Sequence, residues 1–235
     1  KIQNNRQISH KCNIRRSFII FNYNFLLMKK FKNKKLSHSS KLWITRQNND
    51  PLVELAKKQN YRSRAVFKLI EIDKKLKLIK NNLNIVDLGS APGSWSQYSS
   101  KINKNGINLA LDILPMKSIS NCKFLNGDFT NEITQFELMK ILNGGKADLV
   151  LSDIAENSTG NKNLDSMRSN LISLTVLEFA LKNLKKNGKI LIKTFSGIGQ
   201  QDLVKKVKTS FQKHLFIKPS ASRKDSKELY LYCEL

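Results

Sequence analysis

Short apolar runs alternate with stretches of helical periodicity from residue 85 to the end of the chain. The runs are IVDL (85–88), INLALD (107–112), KFL (123–125), ADLVLSD (147–153), KILIK (189–193) and LYLYCEL (229–235). Between them, Trp95 to Ile102, Asn131 to Leu142, Leu164 to Leu184 and Gln201 to Phe211 repeat apolar residues at helical spacing. The runs are apolar almost without interruption, as strands covered on both faces must be. This order predicts an α/β fold with a parallel, doubly wound sheet. LFIKP (215–219) and ELYLYCEL (228–235) predict a closing hairpin that puts one antiparallel strand into it. Upstream, Asp50-Pro51 reads as a helix opening, a capping carboxylate followed by a proline at the first turn. Ser63 reads as the cap of a second helix, with Val66, Leu69 and Ile70 as its core stripe. Lys68 lies about 200° round from Val66, on the other face.

Ligands on such a sheet bind beyond the carboxyl ends of its strands. The first run is followed at once by GSAPGSW (89–95), glycines placed where a strand turns sharply into a helix and a ligand comes close. The spacing is not G-x-G-x-x-G, so a pyrophosphate is not the indicated guest. Asp112 ends the next run some 20 residues on, the place of a carboxylate that takes ribose hydroxyls. Asp128, in NGDF, ends the third and suits an adenine amine. Together with Gly93 they indicate a nucleoside with a small, non-phosphate tail, of which S-adenosylmethionine is the common case.

Charge narrows the partner. The chain carries 42 Lys plus Arg against 18 Asp plus Glu, a net +24, with 12 basic and no acidic residues ahead of Asp50. Such a surplus suits a polyanion, nucleic acid above all, although the abundance of Lys and Asn also fits a compositional bias. Cys12, Cys122 and Cys233 are scattered, as are His10, His38 and His214. That spacing offers neither a disulfide framework nor a metal site and fits a reducing compartment. Phe18 to Leu27 is too short and too interrupted to span a bilayer. Residues 1–27 read as sequence upstream of a start at Met28 or a disordered extension, or else as an organellar presequence. Residues 1–37 are expected to be a basic, poorly ordered arm.

The pieces SSKLW (39–43), YRSRAVFKL (61–69), VDLGSAPGSWSQ (86–97), LDILPM (111–116), NGDF (126–129), SDIA (152–155), IKTFSG (192–197) and KPSASRKDSKELYL (218–231) resemble, in order and spacing, the FtsJ (RrmJ) family of ribosomal RNA 2′-O-methyltransferases. The likeness runs from Ser39 to the C-terminus. It implies a Rossmann-like methyltransferase domain over 38–235 with a mostly parallel seven-stranded sheet and an antiparallel strand near the C-terminus. It implies S-adenosylmethionine bound by Gly93, Trp95, Asp112, Asp128 and Asp153, and a catalytic set of Lys68, Asp153, Lys193 and Glu228. The implied substrate is a uridine ribose 2′-OH in large-subunit ribosomal RNA. The implied enzyme is a cytoplasmic monomer needing no membrane or metal, or a mitochondrial one if residues 1–27 are a presequence. Sister enzymes acting on transfer-RNA anticodon loops share the four residues. An assembly factor with dispensable catalysis and a small-molecule methyltransferase are further readings, the latter disfavoured by the charge.

The chemistry asks for the same residue types. A hydroxyl acceptor must lose its proton to a base whose pKa lies near the working pH. An ordinary lysine stays protonated there, so Lys193 is expected to be pushed down by burial and by Lys68 beside it. Asp153 would orient Lys193, while Glu228 and Lys68 would fix the ribose. Taken singly, each has a plain rival: Lys68 a solvated helix lysine, Asp153 a loop cap, Lys193 an edge gatekeeper. Glu228 would be a partner of Lys227 or Lys224, and Trp95 a staple between helix and sheet. One departure stands out, Glu156 where the family has Pro after SDxA. It loosens the backbone beside Asp153 and adds a negative charge.

Overall fold

The computed structural model describes residues 44–156 and 158–235, of which Asp50–Leu235 is one compact unit. The expectations for residues 1–27 and 1–37, for the domain's start near residue 38, and for Cys12, His10 and His38 fall outside the described residues.

Helix α1 (Pro51–Lys58) starts as its sequence indicates: the Asp50 carboxylate accepts the Leu52 N–H at 3.1 Å, and Lys57 and Lys58 close the last turn. Helix α2 (Val66–Leu76) begins later than Ser63 implies, with Ala65 at its N-cap. The Ser63 hydroxyl accepts the Ala65 N–H in the preceding turn and donates to Ser94 Oγ at 2.8 Å, tying the helix entry to the Gly corner. Val66, Leu69 and Ile72 fill the core while Ile70 is only half-buried. The opposite face is not open either. The Glu71 carboxylate accepts from Ser220 Oγ and the Ala221 N–H, so the loop ahead of the last strand lies across it and Lys68 is buried.

The sheet has seven strands in the order β3-β2-β1-β4-β5-β7-β6, where β1 is Asn84–Leu88, β2 Ile107–Asp112, β3 Lys123–Asn126, β4 Ala147–Ser152, β5 Leu184–Phe195, β6 Lys213–Ile217 and β7 Glu228–Glu234. Strands β1 to β5 are parallel; β7 runs antiparallel between β5 and β6, the hairpin the C-terminal runs imply. Strand β5 starts earlier than KILIK, at Leu184, with a register irregularity opposite Ala147–Leu149. Between and after these strands lie α3 (Ser94–Ile102), α4 (Glu132–Ile141), α5 (Lys162–Asn183) and α6 (Gln200–Ser210).

Because strand side chains alternate, the sheet feeds two cores. Ile85, Leu149, Leu151, Leu191 and Tyr230 join Leu69, Ile72 and Trp95 on the side of α2 and α3. Val86, Val150, Ile190, Ile192 and Leu231 join Val176, Leu177 and Leu203 on the side of α5 and α6. Both layers are packed with buried apolar side chains, which accounts for the unbroken apolar runs. All the parallel strands therefore end on one rim.

Candidate active site

On that rim the corner after β1 turns twice through left-handed backbone, at Gly89 (φ +67°) and Gly93 (φ +103°). A Cβ on Gly89 would collide with the Ile154 side chain, and one on Gly93 would sit 2.5 Å from Met116 Sδ and 2.8 Å from Arg62 Nη1. Only glycine fits either place. Asp112, at the end of β2, is buried, and its two oxygens accept the Ala91 and Leu114 N–H groups, each at 2.8 Å. The carboxylate is thereby aimed and held at the corner. Asp128 is exposed beyond β3, its Oδ1 accepting the Thr130 N–H and hydroxyl. Trp95 is 2 % exposed and donates Nε1–H to Ala65 O at 2.9 Å. Its indole packs against Tyr230 with ring centroids 5.7 Å apart, so it supports the rim from beneath. The Ser90 hydroxyl, in the middle of the corner, is buried with no partner among the described residues.

The four groups with an implied catalytic role converge. Strand register explains why. Lys193 lies opposite Tyr230 and Phe195 opposite Glu228 across the β5–β7 pair, so all four side chains share one face, towards α2. Thr194 points to the other face, where its hydroxyl donates to Asn170 Oδ1 of α5 at 2.6 Å. Lys68 Nζ lies 2.9 Å from both Glu228 oxygens. Lys193 Nζ lies 3.2 Å from Asp153 Oδ1 and 3.5 Å from Glu228 Oε2. The Tyr230 hydroxyl donates to Asp153 Oδ1 at 2.6 Å. The four charged side chains are only 8–18 % exposed, and their two ammonium groups and two carboxylates balance. The plain rivals for Lys68 and Glu228 fall away, because each is the other's buried partner.

The electrostatics overturn one expectation. Burial pushes Lys193 down, as the sequence reading holds, but Asp153 and Glu228 outweigh it and set its pKa above the ordinary lysine range. The carboxylates move oppositely. Burial would raise Asp153, yet Lys193, Lys68 and the Tyr230 hydroxyl hold it below the usual range. Lys68 and Lys193 do the same for Glu228 against its own burial. The resting cluster is therefore two ion pairs, not a neutral amine beside a cation. Burial and both carboxylates lift Tyr230 well above the phenol range, so it stays a donor.

Beyond Glu156, the turn into α5 is held by side chains. The Asp165 carboxylate accepts from Ser158 Oγ, the Thr159 N–H and Thr159 Oγ1, at 2.7–2.8 Å, and Asn161 caps α5.

Three groups escape a residue-by-residue reading. Tyr230 carries a signal, since ELY places it two residues from Glu228 and hence on the same strand face. Asp87 carries another, a lone carboxyl inside an apolar strand. It is fully enclosed and bonded to Ser96 Oγ; burial, then Asp153 and Asp112, push its pKa up to about 7. Arg62 carries none, because its partners are backbone carbonyls.

The sequence pattern of FtsJ-like methyltransferases matches residues 61–234, a span that holds every one of these groups. The chain belongs to the FtsJ-like methyltransferase family. Among relatives of this FtsJ-like chain, the ribosomal RNA large subunit methyltransferase E of Acinetobacter baumannii (strain ATCC 17978) is 44% identical over 200 residues, 85% of this chain and 93% of the relative. That of Psychrobacter sp. (strain PRwf-1) is 43% identical over 199 residues, covering 84% and 95%. A Plasmodium falciparum protein described as a ribosomal RNA methyltransferase superposes with a TM-score of 0.68 at 31% identity, over 74% of this chain and 97% of the other. Among the described residues no helix is long and apolar enough to cross a membrane, and no group of three His, Cys, Asp or Glu side chains could hold a metal ion.

Proposed function

We propose that the chain methylates a uridine ribose 2′-OH of large-subunit ribosomal RNA, with S-adenosylmethionine as donor. The carrying observation is the buried, charge-balanced cluster of Lys68, Asp153, Lys193 and Glu228 beside the Gly corner. The names of the close relatives and the +24 charge support ribosomal RNA as the acceptor.

The corner suits the donor: the Ser90 hydroxyl is buried and without a partner among the described residues, the backbone at Gly93 admits no side chain, and the buried Asp112 carboxylate keeps lone pairs for ribose hydroxyls. Asp128 would accept from the adenine amine, Asp153 would face the amino-acid end, and Trp95 would brace the wall. The donor supplies a methyl group on a sulfonium, which departs as a neutral thioether. The chain's task is the hydroxyl: to hold it in line and take its proton.

Lys193 is the proposed base. An ordinary lysine is neutral in about a thousandth of molecules at pH 7.4, and Lys193, held above that range, in fewer. Turnover through Lys193 therefore draws on a small reactive fraction that grows about tenfold per pH unit. Glu228 and Lys68 position the ribose, and Asp153 with Tyr230 fixes the Lys193 amine. The raised Lys193 also favours a second reading, in which the ammonium clamps the ribose oxygen and solvent takes the proton. The test is transfer of labelled methyl from S-adenosylmethionine to large-subunit RNA, with transfer RNA as comparison and pH varied from 7 to 10. Labelling of large-subunit RNA that rises steeply with pH in wild type, and loses that rise in Lys193→Arg, supports Lys193 as base; a rise that Lys193→Arg keeps is that of hydroxide. A flat profile leaves it a clamp, and labelling of transfer RNA alone removes the ribosomal reading.

A further inference from the structure

Arg62 makes a set of contacts that catalysis as proposed does not use. Its Nη1 donates to the carbonyl oxygens of Pro92 (2.9 Å) and Lys117 (2.8 Å), and its Nη2 to that of Ser118 (2.7 Å). Among the described residues no carboxylate pairs with it. In a chain so rich in surface cations, a guanidinium spent on three backbone carbonyls is doing mechanical work. Its own backbone is anchored too: the Arg62 N–H donates to Gln97 Oε1 at 2.9 Å, and Gln97 Nε2 donates to Asn60 O at 3.1 Å.

The three carbonyls belong to two segments, which the Asp112 carboxylate also joins through the Ala91 and Leu114 N–H groups nearer the sheet. Pro92 precedes Gly93 in the corner after β1. Lys117 and Ser118 lie in the loop after β2, just beyond Asp112 and Met116, and Met116 packs over Gly93. Arg62 itself lies four residues ahead of α2, the helix that carries Lys68. The same short stretch is tied to the corner by Ser63 to Ser94 and by Trp95 to Ala65.

We propose that Arg62 is a positioning residue that sets the aperture of the donor pocket, pinning the corner and the 113–118 loop at one spacing and registering both to the helix bearing Lys68. The inference rests on the reading of this corner as the methyl-donor site. A planar fork with five donors can bridge two segments; an ammonium at the end of a flexible stem satisfies them less well.

Two variants test it, Arg62→Met, which keeps the apolar stem, and Arg62→Lys, which keeps the charge. Steady-state methylation would be measured with S-adenosylmethionine and RNA varied separately, alongside calorimetric binding of S-adenosylhomocysteine and thermal unfolding. The expected result for Arg62→Met is a KM for the donor raised about 10- to 100-fold, the worth of charge-assisted hydrogen bonds. Binding of the product analogue should weaken in parallel, with kcat changed less than about threefold and the KM for RNA unmoved. Arg62→Lys should fall between. Unchanged donor affinity in both variants overturns the proposal, whether or not their unfolding temperatures fall. A raised KM for RNA with a shallower salt dependence and normal donor binding overturns it in favour of a phosphate contact. If Arg62→Met does not fold, Arg62→Lys decides on the same readouts. Wild-type protein that binds no S-adenosylhomocysteine would instead bring down the reading of the donor site itself.

Discussion

Replacing Glu228 by Gln removes one negative charge from a cluster that balances two against two. The carboxylate lies 2.9 Å from Lys68 Nζ and 3.5 Å from Lys193 Nζ, and these side chains are 8–11 % exposed. At an effective dielectric of about 20, each contact is worth roughly 5 kcal/mol of gross attraction. Desolvation offsets much of that in the intact cluster. It is not recovered when one partner goes, because a surplus positive charge stays buried. The expected loss is about 3–5 kcal/mol, a large part of the roughly 5–15 kcal/mol that holds such a domain together. Urea unfolding at pH 7.5, compared with wild type at unchanged m, measures it.

The pH dependence follows from the directions of the shifts. Glu228 and Asp153 are depressed, so their stabilisation is present above the ordinary carboxylate range and is lost as pH falls through their folded values. Lys193 is raised, so its share is full below about pH 10 and lost only as pH rises through its folded value. The difference between variant and wild type should therefore be level from about pH 6 to 9 and shrink in acid. A second readout is kinetic: without Glu228 the pKa of Lys193 falls, and the alkaline rise in turnover should move to lower pH. A stability loss below about 1 kcal/mol, the range of surface pairs, would refute a buried coupled cluster. So would an unmoved pH profile.

Lys193→Ala should lower kcat by about 10²–10⁴-fold with donor affinity nearly unchanged, and Lys193→Arg almost as much, since guanidinium does not deprotonate; an Arg variant of near-normal turnover marks a clamp. Asp112→Ala should weaken S-adenosylmethionine binding by about 1–3 kcal/mol in calorimetry, and unchanged affinity would remove it from the pocket. Asp87, raised to about 7, contributes stability in full below about pH 3.9 that is lost as pH rises through 7. Asp87→Asn should accordingly gain on wild type between pH 5 and 8.5, by up to about 4 kcal/mol, in paired urea titrations.

The parallel sheet and its rim were legible because both faces are packed with apolar side chains and the runs end on or near distinct residues: Asp112, Asp128, Asp153, Lys193. The closing hairpin was legible from ELYLYCEL, whose register then places Glu228 beside Lys193. Periodicity misled at α2. It put Lys68 opposite the core stripe, where a solvated lysine is the plain rival, because the partner that buries it, Glu228, lies 160 residues further along the chain. The direction of the Lys193 shift was hidden for a related reason: burial alone points down, and only the distances to Asp153 and Glu228 show which effect wins. Arg62 was invisible since carbonyl partners leave no mark in side-chain patterns.

The most direct test of the proposed chemistry is the chemical position of the transferred methyl. A methyl on the 2′-oxygen removes the nucleophile that alkali uses to cleave the neighbouring phosphodiester, so that one linkage survives. Large-subunit RNA from cells lacking the gene would be treated with purified protein and S-adenosylmethionine, then hydrolysed in alkali and mapped. The account predicts one alkali-resistant linkage, at a uridine, appearing with wild-type protein and absent with Lys193→Ala. Label that is incorporated while every linkage remains cleavable would place the methyl on a base and contradict it.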